Sequence, residues 1–395
     1  MVLVALHWFA LTTGVVPPRE VTLDEALRVA DAATDVVAAR ADGQAASANV
    51  RLARAPGEPS LSLQTHSVTA QESVAISIPF RWAGQKKAGV KAAEADLESA
   101  ARTRDAALAT ARRAARVAWY TLAASEDRFR AASAQLARAE RMRSAVAELL
   151  EVERASKLDA ARAATEAASA TATLAKAEQE MIAASAELRA LLAIEEPRLT
   201  TGTAQPTPPA EGTLESWLAR ASSGSPELAA ADAALRAAEA RITQRERERY
   251  PATSLEAGAD WNDPTQPGTD AMVGVGITIP TRARASLDLA RAERDRASAQ
   301  LELARRRLAA DVESAWSATR GARLRFEALD GIALPAAVEA AEMTRFAARE
   351  GRMDLFRLLD SERALNETER DRSEAYRDWG VAYAELERLA PEAAP

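Results

Sequence analysis

Few side chains in this sequence could carry covalent or acid–base chemistry. Its 395 residues include two histidines, His7 and His66, and no cysteine. That removes thiol nucleophiles, zinc ribbons, iron–sulfur ligation and disulfide staples together. No Ser/His/Asp set can be assembled from two such imidazoles, and His66 stands on a strand pattern with no second ligand nearby. No glycine-rich phosphate loop precedes a helix. Carboxylates are plentiful but form no recognisable acid–base pair, so the expectation is a non-enzyme with no cofactor and no metal. Lys+Arg 51 against Asp+Glu 58 gives a net charge of −7, a poor balance for nucleic acid. What remains for the charged side chains is electrostatic work: capping helices and pairing along helix faces.

The elements that must position them are built from small residues. Hydrophobic residues make up 48% of the chain but aromatics only 4%. Alanine alone supplies about a quarter, which favours helices that approach one another closely over a core packed on rings. No run of 18 apolar residues is present, so a helical membrane span is not expected, whereas strands of a β-barrel are too alternating for such a test. Val2 to Val16 form an apolar stretch of signal-peptide length without a basic leader, followed by Pro17 and Pro18. Residues 1–18 therefore read as an export signal, or else as a buried N-terminal segment.

An internal duplication organises the rest. Leu23-Asp24-Glu25-Ala26-Leu27 is echoed by Leu214-Glu215-Ser216-Trp217-Leu218, and Ile76-Ser77-Ile78-Pro79 returns as Ile277-Thr278-Ile279-Pro280. Trp119 answers roughly to Trp316, both expected to be packing residues. The halves span 19–196 and 213–390, joined by a Pro/Thr/Gly-rich linker at 197–212. Each half starts with one or two helices, about 22–55 and 213–249, capped by Thr22 and Thr213. Alternating segments follow, giving expected hairpins within 59–81 and 253–280 with strands at 60–68, 74–80, 254–261 and 271–279. Trp82 and Trp261 stand at strand ends, as interfacial aromatics or as sheet-edge packing. Two hairpins cannot close a barrel. They form either a four-stranded sheet covered by helices, or strands that several copies pool into one wall. Long helical hairpins complete the halves, at 83–192 and 282–389, each expected to fold near its middle. Their alanine-rich seams, Leu97, Ala101, Leu108, Ala111, Ala115 and Leu287, Ala290, Ala297, Leu301, Leu308, bury little area each and call for neighbours on both sides.

This duplicated order resembles the TolC family of bacterial outer-membrane efflux proteins. The second half carries the most specific residues: Leu334-Pro335-Ala336-Ala337, then Phe346-Ala347-Ala348-Arg349-Glu350-Gly351, then Leu355 and Leu358-Leu359-Asp360-Ser361-Glu362-Arg363-Ala364-Leu365. The stretch VGITIPTRARASLDLARAE is similar to the family's passage from strand into long helix. The resemblance implies a mainly α fold with a small β part. Three copies would form a twelve-stranded β-barrel in the outer membrane that continues into a periplasmic α-helical barrel. It further implies a passive exit duct docking onto a periplasmic adaptor protein and an inner-membrane pump of the RND or ABC type. Metal, drug and protein cargoes all stay open. The competing expectation is a periplasmic coiled-coil scaffold without channel activity.

On this resemblance Asp360 falls where the family places an aspartate ring at the periplasmic end, with Arg357 one turn earlier. The internal repeat puts Asp159 and Arg162 at the equivalent places with the signs exchanged. Together they would make a mixed-sign pore constriction, or else an ordinary solvated helix face. Arg154, Ser156, Arg349, Gly351 and Arg352 lie at the hairpin tips, as adaptor contacts or as plain turn residues. Gly351 would supply the positive φ of the reversal, where the first half has Glu153.

Overall fold

Caps and sheet-edge residues set where the elements begin. The computed structural model describes residues 18–66, 71–202, 206–209, 212–261, 268–350 and 354–391. The signal-like segment up to residue 17, Thr69, Ala70, Gly351 and Arg352 lie outside the described residues. In chain order the elements are β1 (Arg19–Glu20), α1 (Leu23–Ala30), α2 (Thr34–Arg54), β2 (Ser60–His66), β3 (Gln71–Phe80), α3 (Gln85–Glu151) and α4 (Lys157–Leu192). The second half repeats them as β4 (Leu199–Thr200), α5 (Leu214–Gly224), α6 (Pro226–Arg247), β5 (Ala252–Trp261), β6 (Thr269–Thr278) and α7 (Ala283–Ala328). A π-helical turn (Leu329–Ala333) then leads into α8 (Leu334–Arg349) and α9 (Leu355–Leu389). Thr22 and Thr213 cap α1 and α5 as expected, their side chains accepting from Glu25 and Ser216 backbone N–H groups.

The long hairpins do not fold in their middles. In the first half 67 residues of α3 face only 36 of α4, because the reversal comes late, at 152–156. In the second half the reversal follows Arg349, and α7, the π turn and α8 run end to end with the length of α3. Pro335 explains the π turn. A proline lacks its N–H and its ring crowds the carbonyl four residues earlier, so the widened turn centred on Gly331 relieves the clash without ending the helix. Gly321 and Gly380, by contrast, stay inside regular helix.

The chain divides into two compact units, each drawing on both halves of the repeat. One unit comprises Met1–Ala33, Arg112–Glu211 and Ala315–Glu385. Its main core gathers Trp119, Tyr120, Phe326, Tyr376 and Trp379 among alanines and leucines from α1, α3, α4 and α9. Trp119 is buried and donates to the Val21 carbonyl at 2.8 Å. Trp316 is only half-buried, with Arg320 over its ring at 5.4 Å. The parallel pair β1–β4 ties the start of the chain to the linker. The buried carboxylate of Glu126 accepts from the Thr201 backbone and, at 2.6 Å, from its hydroxyl. Tyr120 and Tyr376 both donate to the Pro206 carbonyl, at 3.4 and 3.0 Å.

The other unit comprises Thr34–Ala111, Gly212–Ser314 and Leu386–Pro395. Its centre is one antiparallel sheet of order β2-β3-β5-β6, so the two hairpins join edge to edge through β3 and β5. Strand limits differ from the sequence reading by a few residues. β3 starts at Gln71, and β5 and β6 each begin two residues early. Of the expected seams, Ala115, Leu287, Ala290, Ala297 and Leu301 are buried, whereas Leu97, Ala101, Leu108, Ala111 and Leu308 are half-buried.

Candidate functional site

Each unit holds one candidate. In the first it is the turn between α3 and α4 together with the start of α9. Arg154 and Ala155 donate backbone N–H groups to the Leu149 carbonyl, at 2.8 and 3.2 Å, closing the reversal. Glu153 sits at φ 58, so the positive φ expected of a glycine here is adopted by a glutamate. Ser156 caps α4 in a capping box: its hydroxyl accepts from the Asp159 N–H at 3.1 Å, and the Asp159 carboxylate accepts from the Ser156 N–H, also at 3.1 Å. Hydrogen bonds from Ser156, with Arg162 nearby, hold the Asp159 carboxyl below the usual carboxylate range.

The four residues read as a constriction are not paired with one another among the described residues. Arg162 lies over the Phe356 ring at 6.0 Å, and Arg357 and Asp360 are exposed. Asp159 serves its own helix. Arg154 and Ser156 stand exposed at the first turn and Arg349 at the end of α8. The sequence reading missed a second layer of charge behind these residues. Glu166 and Glu362 are buried. Arg363 reaches Glu166 at 2.9 Å, while Arg138 and Arg345 both engage Glu362, at 3.1 Å each. That contact pushes the Arg345 guanidinium further up. Their signal was available: acids recur among alanines on helix faces that otherwise read as apolar.

In the second unit the candidate is the sheet itself. Its register stacks Leu61 on Ile76, Leu63 on Val74, Ile78 on Leu255 and Ala257 on Val273, so apolar side chains of all four strands share one face. That face is open: Leu63 is 73% and Val273 78% exposed, with Ile76, Ile78, Phe80, Val275 and Ile277 also exposed. The opposite face carries mostly small or polar residues, Ser60, Ser62, Ser77, Ser254, Glu256, Gly274 and Gly276, together with Ala75 and the exposed Met272. At one strand end Trp82 donates to the Pro251 carbonyl at 3.1 Å and packs edge-on against Tyr250. At the other end Trp261 donates to Glu72 at 2.7 Å. Ten-residue strands span about 33 Å, or about 25 Å when tilted as in a barrel. Among the described residues no helix is long and apolar enough to cross a membrane, and no cluster of His, Cys, Asp and Glu could hold a metal.

The sequence profile of the outer membrane efflux protein family matches residues 28–193 and 217–390. The chain belongs to the outer membrane efflux protein family. This family consists of channel proteins rather than enzymes, and its members lie in the outer membrane and extend into the periplasm. The efflux protein's fold is that of a solved membrane protein and of solved outer membrane channels, all at low identity. A membrane protein from Pseudomonas aeruginosa is 20% identical over 93% of each chain, with a TM-score of 0.78. The CmeC outer membrane channel of Campylobacter jejuni is 13% identical over 93% of this chain and 85% of its own, at 0.77. The open state of the MtrE outer membrane channel of Neisseria gonorrhoeae is 20% identical over 93% and 88%, at 0.67. No curated protein sequence matches the chain. The mainly helical architecture with a small sheet expected from the repeat is the one these channels share.

Proposed function

We propose that three copies of this chain close their sheets into one twelve-stranded barrel, continued by an α-helical barrel, and that the trimer is a passive efflux duct. A periplasmic adaptor and an inner-membrane pump would dock at the helical end. The observation that carries the reading is the open sheet of one apolar and one polar face. A lone four-stranded sheet with such a face and free β2 and β6 edges has no stable place in water, and a membrane tolerates no free edge. Pairing β2 of one copy with β6 of the next removes both edges and gives every apolar face to lipid. The test is the purified protein in detergent, run unheated and heated on a denaturing gel and then reconstituted in a planar bilayer. A heat-labile trimer with steady conductance is expected. A detergent-free monomer without conductance would instead favour a periplasmic scaffold.

Within that duct Asp159 and Arg162 from α4, with Arg357 and Asp360 from α9, form a mixed-sign constriction, and Arg154, Ser156, Arg349, Gly351 and Arg352 meet the adaptor. The sheer exposure of Arg357 and Asp360, with no partner in their own chain among the described residues, supports the first part. Replacing Asp360 alone is the clean test, because Asp159→Ala also removes a helix cap. Asp360→Ala is expected to raise single-channel conductance, and unchanged conductance would remove the ring from the reading. For the tips, Arg154→Glu and Arg349→Glu should weaken cross-linking to the adaptor while leaving the trimer intact.

A further inference from the structure

Beside the end of β3 the sheet unit carries a groove of about 570 Å³ whose lining includes Arg81, Lys86, Lys87, Val90, Lys91 and Glu94. Three of the five lysines in the whole chain fall within six consecutive positions of α3, 86–91, in a protein that elsewhere uses arginine almost exclusively. Among the described residues none of the four cations has an ion-pair partner, and the one acid of the groove, Glu94, is taken by Arg54 at 2.6 Å.

The placement also runs against helix electrostatics. α1, α2, α4, α5 and α6 all carry an acid in the first turn, where the peptide dipoles are positive. α3 and α7, the two helices that leave the sheet, carry none, and neither do α8 and α9. α3 and α7 begin instead with Lys86 and Lys87, and with Arg284 after Arg282. A cation there is disfavoured unless an anion joins it.

The neighbours say which anion. Ile78 and Phe80, on the exposed apolar face, lead straight up to Arg81, and Trp82 with Tyr250 sits between strand and helix. Gln85 fixes this rim, donating to the Tyr250 carbonyl at 2.9 Å. An acyl chain lying along the sheet would bring its phosphate to the lysines. We propose, resting on the barrel reading above, that this groove binds the headgroup of an anionic phospholipid in the periplasm-facing leaflet. Lysine suits such a ligand, because a flexible, compact point charge adapts to a mobile headgroup better than a rigid fork does.

Trp82 is a built-in reporter for the test. The trimer in neutral detergent is titrated with phosphatidylglycerol and with phosphatidylcholine, each brominated on its acyl chains, and fluorescence quenching is followed. Trp82→Phe identifies the signal. At low salt phosphatidylglycerol should bind about tenfold tighter or more, since each lysine near an anionic surface adds attraction. The variant with Lys86, Lys87 and Lys91 all changed to Gln should bind both lipids alike, and the version with all three changed to Arg should keep the preference. Equal binding of both lipids by the wild type, or a preference surviving in the Gln variant, overturns the proposal. So does displacement of phosphatidylglycerol by equimolar inorganic phosphate, which would mark a free-anion site. A trimer without lipid preference fails this inference alone, whereas a chain that forms no trimer fails the barrel reading.

Discussion

Gly380 lies inside α9, where a glycine costs about 1 kcal/mol against alanine. Its reason is the Tyr120 ring, which a Cβ there would meet at 2.2 Å. Gly380→Ala should therefore destabilise, by about 1–3 kcal/mol from overpacking, despite its better helix propensity, and calorimetry reads the difference. Asp159 illustrates the opposite case, a residue whose role is local. Its carboxyl is held low in the folded chain, so its contribution to the α4 cap is present at neutral pH and fades only as pH falls through that lowered value. Hydrogen-exchange protection in the first turn of α4, relative to the intrinsic rate at each pH, should weaken below the ordinary aspartate range, and Ser156→Ala, at a cost of about 1 kcal/mol, should remove most of that dependence. Protection that ignores both pH and the substitution would discard the capping account. Sequence spacing marked Asp159 through its counterpart in the other half. The spacing of Ser156 and Asp159 also spells the box, but Ser156 was read as a tip residue and not as a cap.

At the scale of elements the duplication was readable and its details were not. Alternation located all four strands to within a few residues, since period two is a local signal. The position of each helix reversal is not local. Alanine-rich sequence continues through both arms without a proline in the first half, so nothing in composition contradicted a fold near the middle. The turn at 152–156 was found only among the tip residues matched between the two halves. Glu153 holds a left-handed conformation that costs a non-glycine residue about 1–2 kcal/mol. Glu153→Gly should relieve part of that strain and raise thermal stability of the unit, whatever loss of its side chain does to docking. A trimer-melting curve together with adaptor cross-linking separates the two effects. Ala193, at φ 50 after α4, offers an internal comparison, since it ends a helix away from the residues proposed to meet the adaptor. Ala193→Gly should stabilise to the same degree and leave cross-linking unchanged.

For the molecule as a whole, the decisive fact is that the sheet is complete in register but not in surroundings. Cross-strand pairs place Val275 on the apolar face beside Leu255, and Gly274 on the opposite face beside Glu256. If three sheets close, the first residue meets lipid and the second lines a bore. These adjacent positions then respond oppositely to the same charge. Val275→Arg puts a guanidinium in hydrocarbon, at about 2–4 kcal/mol near the midplane, and should sharply reduce heat-labile trimer in the outer membrane. Gly274→Arg meets no atom within 4 Å of the new Cβ, so the trimer should form normally and its conductance should fall as the bore narrows and gains positive charge. A helix-covered soluble sheet would predict no such division, because Val275 is already 63% exposed and a charge there would simply be solvated. Equal trimer yields from the two variants would thus argue that lipid never touches this face. Alternation left a helix-covered sheet and a shared wall both open, and the proposal of a shared wall would then have to be given up.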